Sequence, residues 1–173
     1  MSATQRIQHL VDPAYSSDLA EHGLHDLREM RAECNAVEMA VSYTRRLAQG
    51  RFEILSAEQA RRKAGGSAGA SVADLVADLP RILGEERGRS SAANARLVET
   101  AEPKIEIDWG PQSHLVADDS LVTLDGIGDD GLAETVAALA DFERELSGYR
   151  HSLHGVLATI EREIAGRAAD DVQ

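Results

Sequence analysis

The sequence predicts a mainly α protein: a long antiparallel helical hairpin of coiled-coil type with a partly irregular middle segment. Three observations point there. Aromatic residues make up only 3% of the 173-residue chain, and Ala, Leu, Glu and Arg dominate instead, a composition that favours helices and disfavours a β-sandwich or barrel. Between Leu24 and Lys63 there is no proline and only one glycine, Gly50. Two separated tracts repeat their apolar residues every seven positions, the period of a coiled coil.

In the first tract Leu27, Cys34, Val41, Ala48 and Leu55 form one line of the heptad. Met30, Val37 and Thr44 form the second, which turns polar at Thr44 and Arg51. Gly65-Gly66 is a stop signal. In the second tract Leu139, Leu146, Leu153 and Ile160 recur at seven, with Phe142, Tyr149 and Val156 three later. Asp129-Asp130 supply N-caps and Gly166 an end. The expected organisation is a polar tail over 1–22, a first helix over 23–64, an acidic connecting segment over 65–128, a second helix over 129–166 and a tail over 167–173.

The connecting segment carries weaker signals. Ser67 to Ala70 reads as a joint, and VADLVADL before Pro80 as a short helix. Ser90 to Thr100 reads as another helical turn or a loop. Lys104–Trp109 and SLVTL at 120–124 alternate weakly like strands. Glu99 to Glu134 holds ten acids and one base, so this stretch is expected to be partly disordered or to fold on a partner. Trp109 fits either a local core anchor or a partner contact.

Charge narrows the function. Thirty acids against 18 bases give −12, against direct DNA binding and in favour of docking on a basic protein surface. A lone cysteine, Cys34, suits a reducing compartment. No apolar run reaches a spanning length, and no signal peptide is evident. A cytoplasmic protein without a membrane segment is expected. Cys34 falls in the seam and reads as a small core residue. His22/His25 and His151/His154 have the i,i+3 spacing of a metal pair, but nothing in sequence completes four ligands, so no metal is expected. No nucleophile–base pair stands out, so an enzyme is not expected.

The informative feature is an internal repeat. With an offset of 105 residues, Glu38 aligns with Glu143, Ser42 with Ser147, Arg45 with Arg150 and Gly50 with Gly155. Fifteen heptads make the apolar agreement unsurprising, but polar surface positions have no such obligation. Glu38, Ser42, Arg45, Gln49 and Glu53 fall within an arc of roughly 80° on a helix. A solvated face laced with i,i+4 pairs would account for one such stripe; two with serine at the same place call for more. Arg offers a planar fork suited to phosphate or to guanine O6 and N7. A carboxylate matches the N1–H and N2–H₂ donors of guanine, and Ser and Gln complete such contacts. No phosphate loop is present. Residues 38–63 hold six bases against three acids, a local +3 that outweighs distant acids beyond a Debye length of ~8 Å.

The segment EMAVSYTRRLAQGRFE resembles the Glu-x3-Ser-x2-Arg-x3-Gln-x3-Asp signature of the RsiG family, actinobacterial anti-sigma factors that bind cyclic di-GMP and hold WhiG-type sporulation sigma factors. That resemblance implies ligand-binding roles for Glu38, Ser42, Arg45, Gln49 and Glu53, with Glu53 standing for the family's Asp. It also implies a second copy on the other arm of the hairpin. In ERELSGYRHSLHGVLA, Glu143, Ser147 and Arg150 match, while His154 replaces Gln and Ala158 replaces Asp. Cyclic di-GMP is then a regulatory ligand, with no other cofactor, and the partner is a WhiG-type sigma factor. The alternative is a coiled-coil scaffold that binds no nucleotide.

Overall fold

The structure, a computed structural model, describes residues 2–65, 105, 107–117 and 126–170. Three α-helices are present among them: α1 (Ala3–Val11), α2 (Leu24–Lys63) and α3 (Asp129–Asp170). Short 3₁₀ turns occupy Pro13–Ser16, Leu19–Glu21 and Gly110–Leu115. No strand occurs among the described residues, so Ile107–Trp109 is not the strand its alternation suggested. The short helix at 72–79, the joint at 67–70, the stretch 90–100 and the strand signal at 120–124 lie outside the described residues.

Helix α2 has 40 residues, about 60 Å at ~1.5 Å per residue. At its start Asp26 Oδ2 accepts the Gly23 N–H at 3.1 Å, tying the entry to the first turn. At its end Gly65 takes φ +91° and its N–H donates to the Arg62 carbonyl, a left-handed stop that glycine adopts without steric penalty. Helix α3 begins after Gly128, whose carbonyl accepts the Leu132 N–H. Asp129 and Asp130 therefore sit in the first turn, where negative charge favours the helix dipole, rather than before it as caps.

Two compact units are distinguished, one drawn from Met1–Arg45, Glu102–Ser113 and Arg144–Gln173, the other from Arg46–Ala101 and His114–Glu143. Both long helices contribute to both. In the first unit Leu27, Cys34, Val37, Val41, Leu146, Leu153 and Ile160 are buried. The heptad line expected in sequence is thus the core, each Leu adding ~1.5–3 kcal/mol. Burial above all pushes the Cys34 thiol up to about 11, so it stays protonated and inert.

Residues 1–22, expected to be a polar tail, instead hold α1. Ser2 and Gln5 form a reciprocal capping box, with Ser2 N to Gln5 Oε1 at 3.0 Å and Gln5 N to Ser2 Oγ at 3.3 Å. Ala3, Ile7 and Leu10 then bury one short stripe. The Ala3 N–H donates to the Asp108 carbonyl at 3.0 Å, joining α1 to the connecting segment. Trp109 is 8% exposed, and its indole N–H donates to Thr44 Oγ1 at 3.1 Å. It is a core anchor.

Helix α3 runs through Gly166, where the sequence suggested an end. Arg167 donates to Glu163 at 2.9 Å, to the Leu19 carbonyl at 2.7 Å and to the His22 carbonyl. These bonds hold the last turn in place and outweigh the ~1 kcal/mol helix cost of glycine.

The second unit buries Ala48, Leu55, Leu115, Leu132, Leu139 and Phe142 together with Arg51 and Glu58. Arg51 Nη1 donates to the Leu115 carbonyl at 3.0 Å. Glu58 accepts from Arg61 at 2.7 and 2.8 Å and from Arg62 at 2.6 Å. Arg62 also reaches the Ile127 carbonyl at 2.7 Å and Asp129 Oδ1 at 3.2 Å. Hydrogen bonds from Arg61 first and Arg62 next hold the Glu58 carboxyl below the usual range, against its burial. In both units the two long helices run antiparallel, α2's last turn meeting α3's first in this one.

Replacing Leu146, fully buried, by Asp leaves an unpaired charge in the seam and should lower stability by ~3–5 kcal/mol, read as the urea midpoint followed by circular dichroism. Thr44→Val keeps the side-chain shape but strips the buried Trp109 indole N–H of its acceptor. It should cost ~1 kcal/mol by the same measurement, and an unchanged midpoint would show that the anchor is apolar only.

Candidate functional site

Serine, glutamate and arginine at steps of four and three share one face of a helix, and the heptad seam decides which way that face looks. On α2, Thr44 follows Glu38 by six residues, about 240° around the helix at ~100° each. The flank that receives Trp109 through Thr44 is therefore separate from the flank that carries Glu38 and Ser42. On α3 the same division holds: Glu145 accepts from Gln112 at 3.0 Å and from Tyr149 at 2.7 Å on the connecting-segment side. Arg150 and His154 face α2.

In the first unit the stripes meet at one atom. Glu38 Oε1 accepts the Ser42 hydroxyl at 2.7 Å and Arg150 Nε at 3.3 Å, and His154 Nε2 lies 3.0 Å from it. Ser42 comes from the next turn of α2; Arg150 and His154 come from α3. Burial tends to raise the Glu38 carboxyl. The Ser42 hydrogen bond, the His154 contact and the charges of His154 and Arg150 outweigh it and hold the group below the usual carboxylate range. Arg45 and Ser147 lie in the same unit, both half-buried.

The second unit holds Gln49, Glu53 and Glu143, all half-buried. Gln49 Nε2 donates to Glu53 Oε1 at 3.1 Å. Of the nine residues singled out in sequence, the structure thus gathers Glu38, Ser42, Arg150 and His154 in one cluster and pairs Gln49 with Glu53. Ala158 is exposed.

Sequence reasoning overlooked a groove in the first unit. A cleft of about 710 Å³ lies between the turn after α1 and the start of α2, lined by Asp26, Glu29, Glu33, Tyr15, His22 and Met30 among others. Tyr15 donates to Glu33 at 3.4 Å, and burial above all pushes its hydroxyl well above the usual range. The signal available was the acidic spacing Asp26, Glu29, Glu33 on one face. Among the described residues no group of three His, Cys, Asp or Glu could hold a metal, and no helix is long and apolar enough to cross a membrane.

Residues 13–83 match the model of the RsiG-like family. The matched stretch takes in the whole of α2 and its stripe; the stripe of α3 lies outside it. No curated protein and no solved structure matches the chain.

The lowered Glu38 carboxyl makes a signed prediction. Its contribution is present above the ordinary Glu value, ~4.3, and disappears as pH falls through the lower folded value. Glu38→Gln should therefore be less stable than the native protein by about 1 kcal/mol at pH 7, and the gap should close below about pH 4. Thermal melts at pH 7, 5 and 3 check this; a gap that does not change with pH would show that the charge is not what matters.

Proposed function

We propose that the protein is an anti-sigma factor that binds cyclic di-GMP on the Glu-x3-Ser-x2-Arg stripes of α2 and α3, sequesters a WhiG-type sigma factor and so represses transcription. The observation that carries this reading is the gathering of Glu38, Ser42, Arg150 and His154 in one cluster, with two residues supplied by each long helix. A carboxylate that faces arginine across a helical seam presents what a guanine nucleotide needs: acceptors for the N1–H and N2–H₂ edge and a guanidinium for phosphate or for O6 and N7. Arg45 and Ser147 lie in the same unit as the cluster, while Gln49, Glu53 and Glu143 hold the stripe positions of the other unit. The local +3 over residues 38–63 favours an anionic ligand.

The partner's chemistry follows from the remaining charge. A sigma factor reads DNA with a basic surface, and Asp26, Glu29 and Glu33 line a groove that complements one. Occupation of that basic surface and promoter binding then exclude each other. The nucleotide acts as an adhesive, filling a surface that neither protein closes alone. Cytoplasmic location accords with such a partner and with the reduced Cys34.

The second reading is a coiled-coil scaffold without nucleotide binding. The i,i+4 pairs Ser42–Glu38 and Gln49–Glu53 favour it, because a solvated helix face makes the same bonds. Calorimetry with cyclic di-GMP, with and without a WhiG-type sigma factor, separates the two. The expected result is binding that Arg150→Ala weakens by ~1–3 kcal/mol and that lysine restores poorly, since an ammonium lacks the planar fork. Glu53→Ala should weaken it about ten- to a hundred-fold, and Ala158→Asp should strengthen it. Absence of heat in both conditions would falsify the nucleotide reading and leave the scaffold.

A further inference from the structure

Glu38 is one of two carboxylates in the α2 stripe able to face a guanine edge, yet one of its oxygens is already taken. Oε1 receives Ser42 from its own helix and both Arg150 and His154 from α3. A carboxylate oxygen has two lone pairs, so three donors saturate it. A guanine edge presents two donors side by side and needs both carboxylate oxygens. The clasp and the nucleotide therefore cannot hold Glu38 at once.

We propose that His154 is a positioning residue that, with Arg150, closes the α2 stripe in the free protein by holding Glu38, and that the nucleotide binds by displacing this clasp. The inference rests on the nucleotide reading above and goes beyond it in assigning His154 a role opposed to ligand binding. Displacement does two things together. It frees Oε1 to face guanine, and it releases the Arg150 guanidinium from Glu38 to meet a phosphate. The exchange keeps the count of charge-assisted bonds nearly level, so the stripe changes partners without exposing an unpaired charge.

Exposure limits how strongly the clasp resists. The Glu38 side chain is 17% exposed, but Arg150 is 44% and His154 52% exposed. Pairs of that kind are held weakly, so the clasp lowers nucleotide affinity without abolishing it. Other charged positions on these lines are Arg31, seven residues before Glu38 on α2, and His151 and Glu161 on α3, all exposed. None of them is bonded to Glu38 in the cluster described.

The test has two arms on the full chain. Without nucleotide, the Glu38 side-chain carboxyl is titrated by carbon-13 NMR in the native protein, His154→Ala and His154→Gln. The clasp requires a midpoint below the ordinary Glu value in the native protein, a rise in the alanine variant and a partial return with glutamine, whose amide can donate again. With cyclic di-GMP, calorimetry should show His154→Ala binding about two- to five-fold tighter than native, with His154→Gln close to native. An unchanged Glu38 midpoint in His154→Ala shows that no clasp exists and overturns the proposal by itself. A shifted midpoint with weaker nucleotide binding makes His154 a ligand contact and overturns it too. No heat from any variant, with the midpoint shift intact, defeats the nucleotide reading and the competition together.

Discussion

A long helix that buries polar side chains must find each of them a partner, because a buried group left unbonded costs ~1–3 kcal/mol. On α2 that obligation falls on Thr44, Arg51 and Glu58, which continue one heptad line at intervals of seven and are all buried. Trp109 answers Thr44, the Leu115 carbonyl answers Arg51, and Arg61 and Arg62 answer Glu58. Two of those three partners come from the segment between the long helices. The polar line therefore recruits that segment, and the segment in turn receives α1 through the Asp108 carbonyl. The opposite flank of α2 is left to Glu38 and Ser42, and its availability follows from where the Trp109 flank is committed.

The cluster around Glu38 shows how one carboxylate joins local and long-range structure. Ser42 fixes its rotamer from within α2, while Arg150 and His154 pull it toward α3. The lowered carboxyl records the balance: solvent loss is outweighed by donors that themselves remain partly in water. Such a cluster adds polar contacts to the apolar seam that joins the two helices in this unit, while Arg150 and His154 keep much of their surface in water.

The fold class was legible because heptad spacing survives any detail of packing. Leu27, Cys34, Val41, Ala48 and Leu55, all on one line, are all buried, and the bounds of α2 followed from its glycine stop. The short helix α1 was missed because nine residues give only three buried positions, too few to stand out beside Pro13 and a serine pair. The run through Gly166 was hidden because its cause, Arg167 bonding to the Leu19 and His22 carbonyls, is tertiary. For the candidate site, the offset of 105 residues indicated which positions share a face of each helix. It could not give the stagger between helices, so the meeting of Glu38 with His154 was not legible. Thr44 and Arg51 were visible as impurities in the apolar line; an expectation of partners for them would have pointed to the connecting segment.

The bonds of Arg167 also bear on the order in which the molecule comes into being. They reach back to residues 19 and 22, and the core of that unit joins residues up to 45 with residues beyond 144. During synthesis, the chain from residue 45 to residue 167 is made at ~5–20 residues per second, roughly 6–25 s. Throughout that interval the first half of α2 has no α3 to cover Val37 and Val41. An isolated helix with a bare apolar stripe is a surface on which chaperones or a second nascent chain can settle. Copies made on neighbouring ribosomes are therefore exposed to exchange of helices before either hairpin closes.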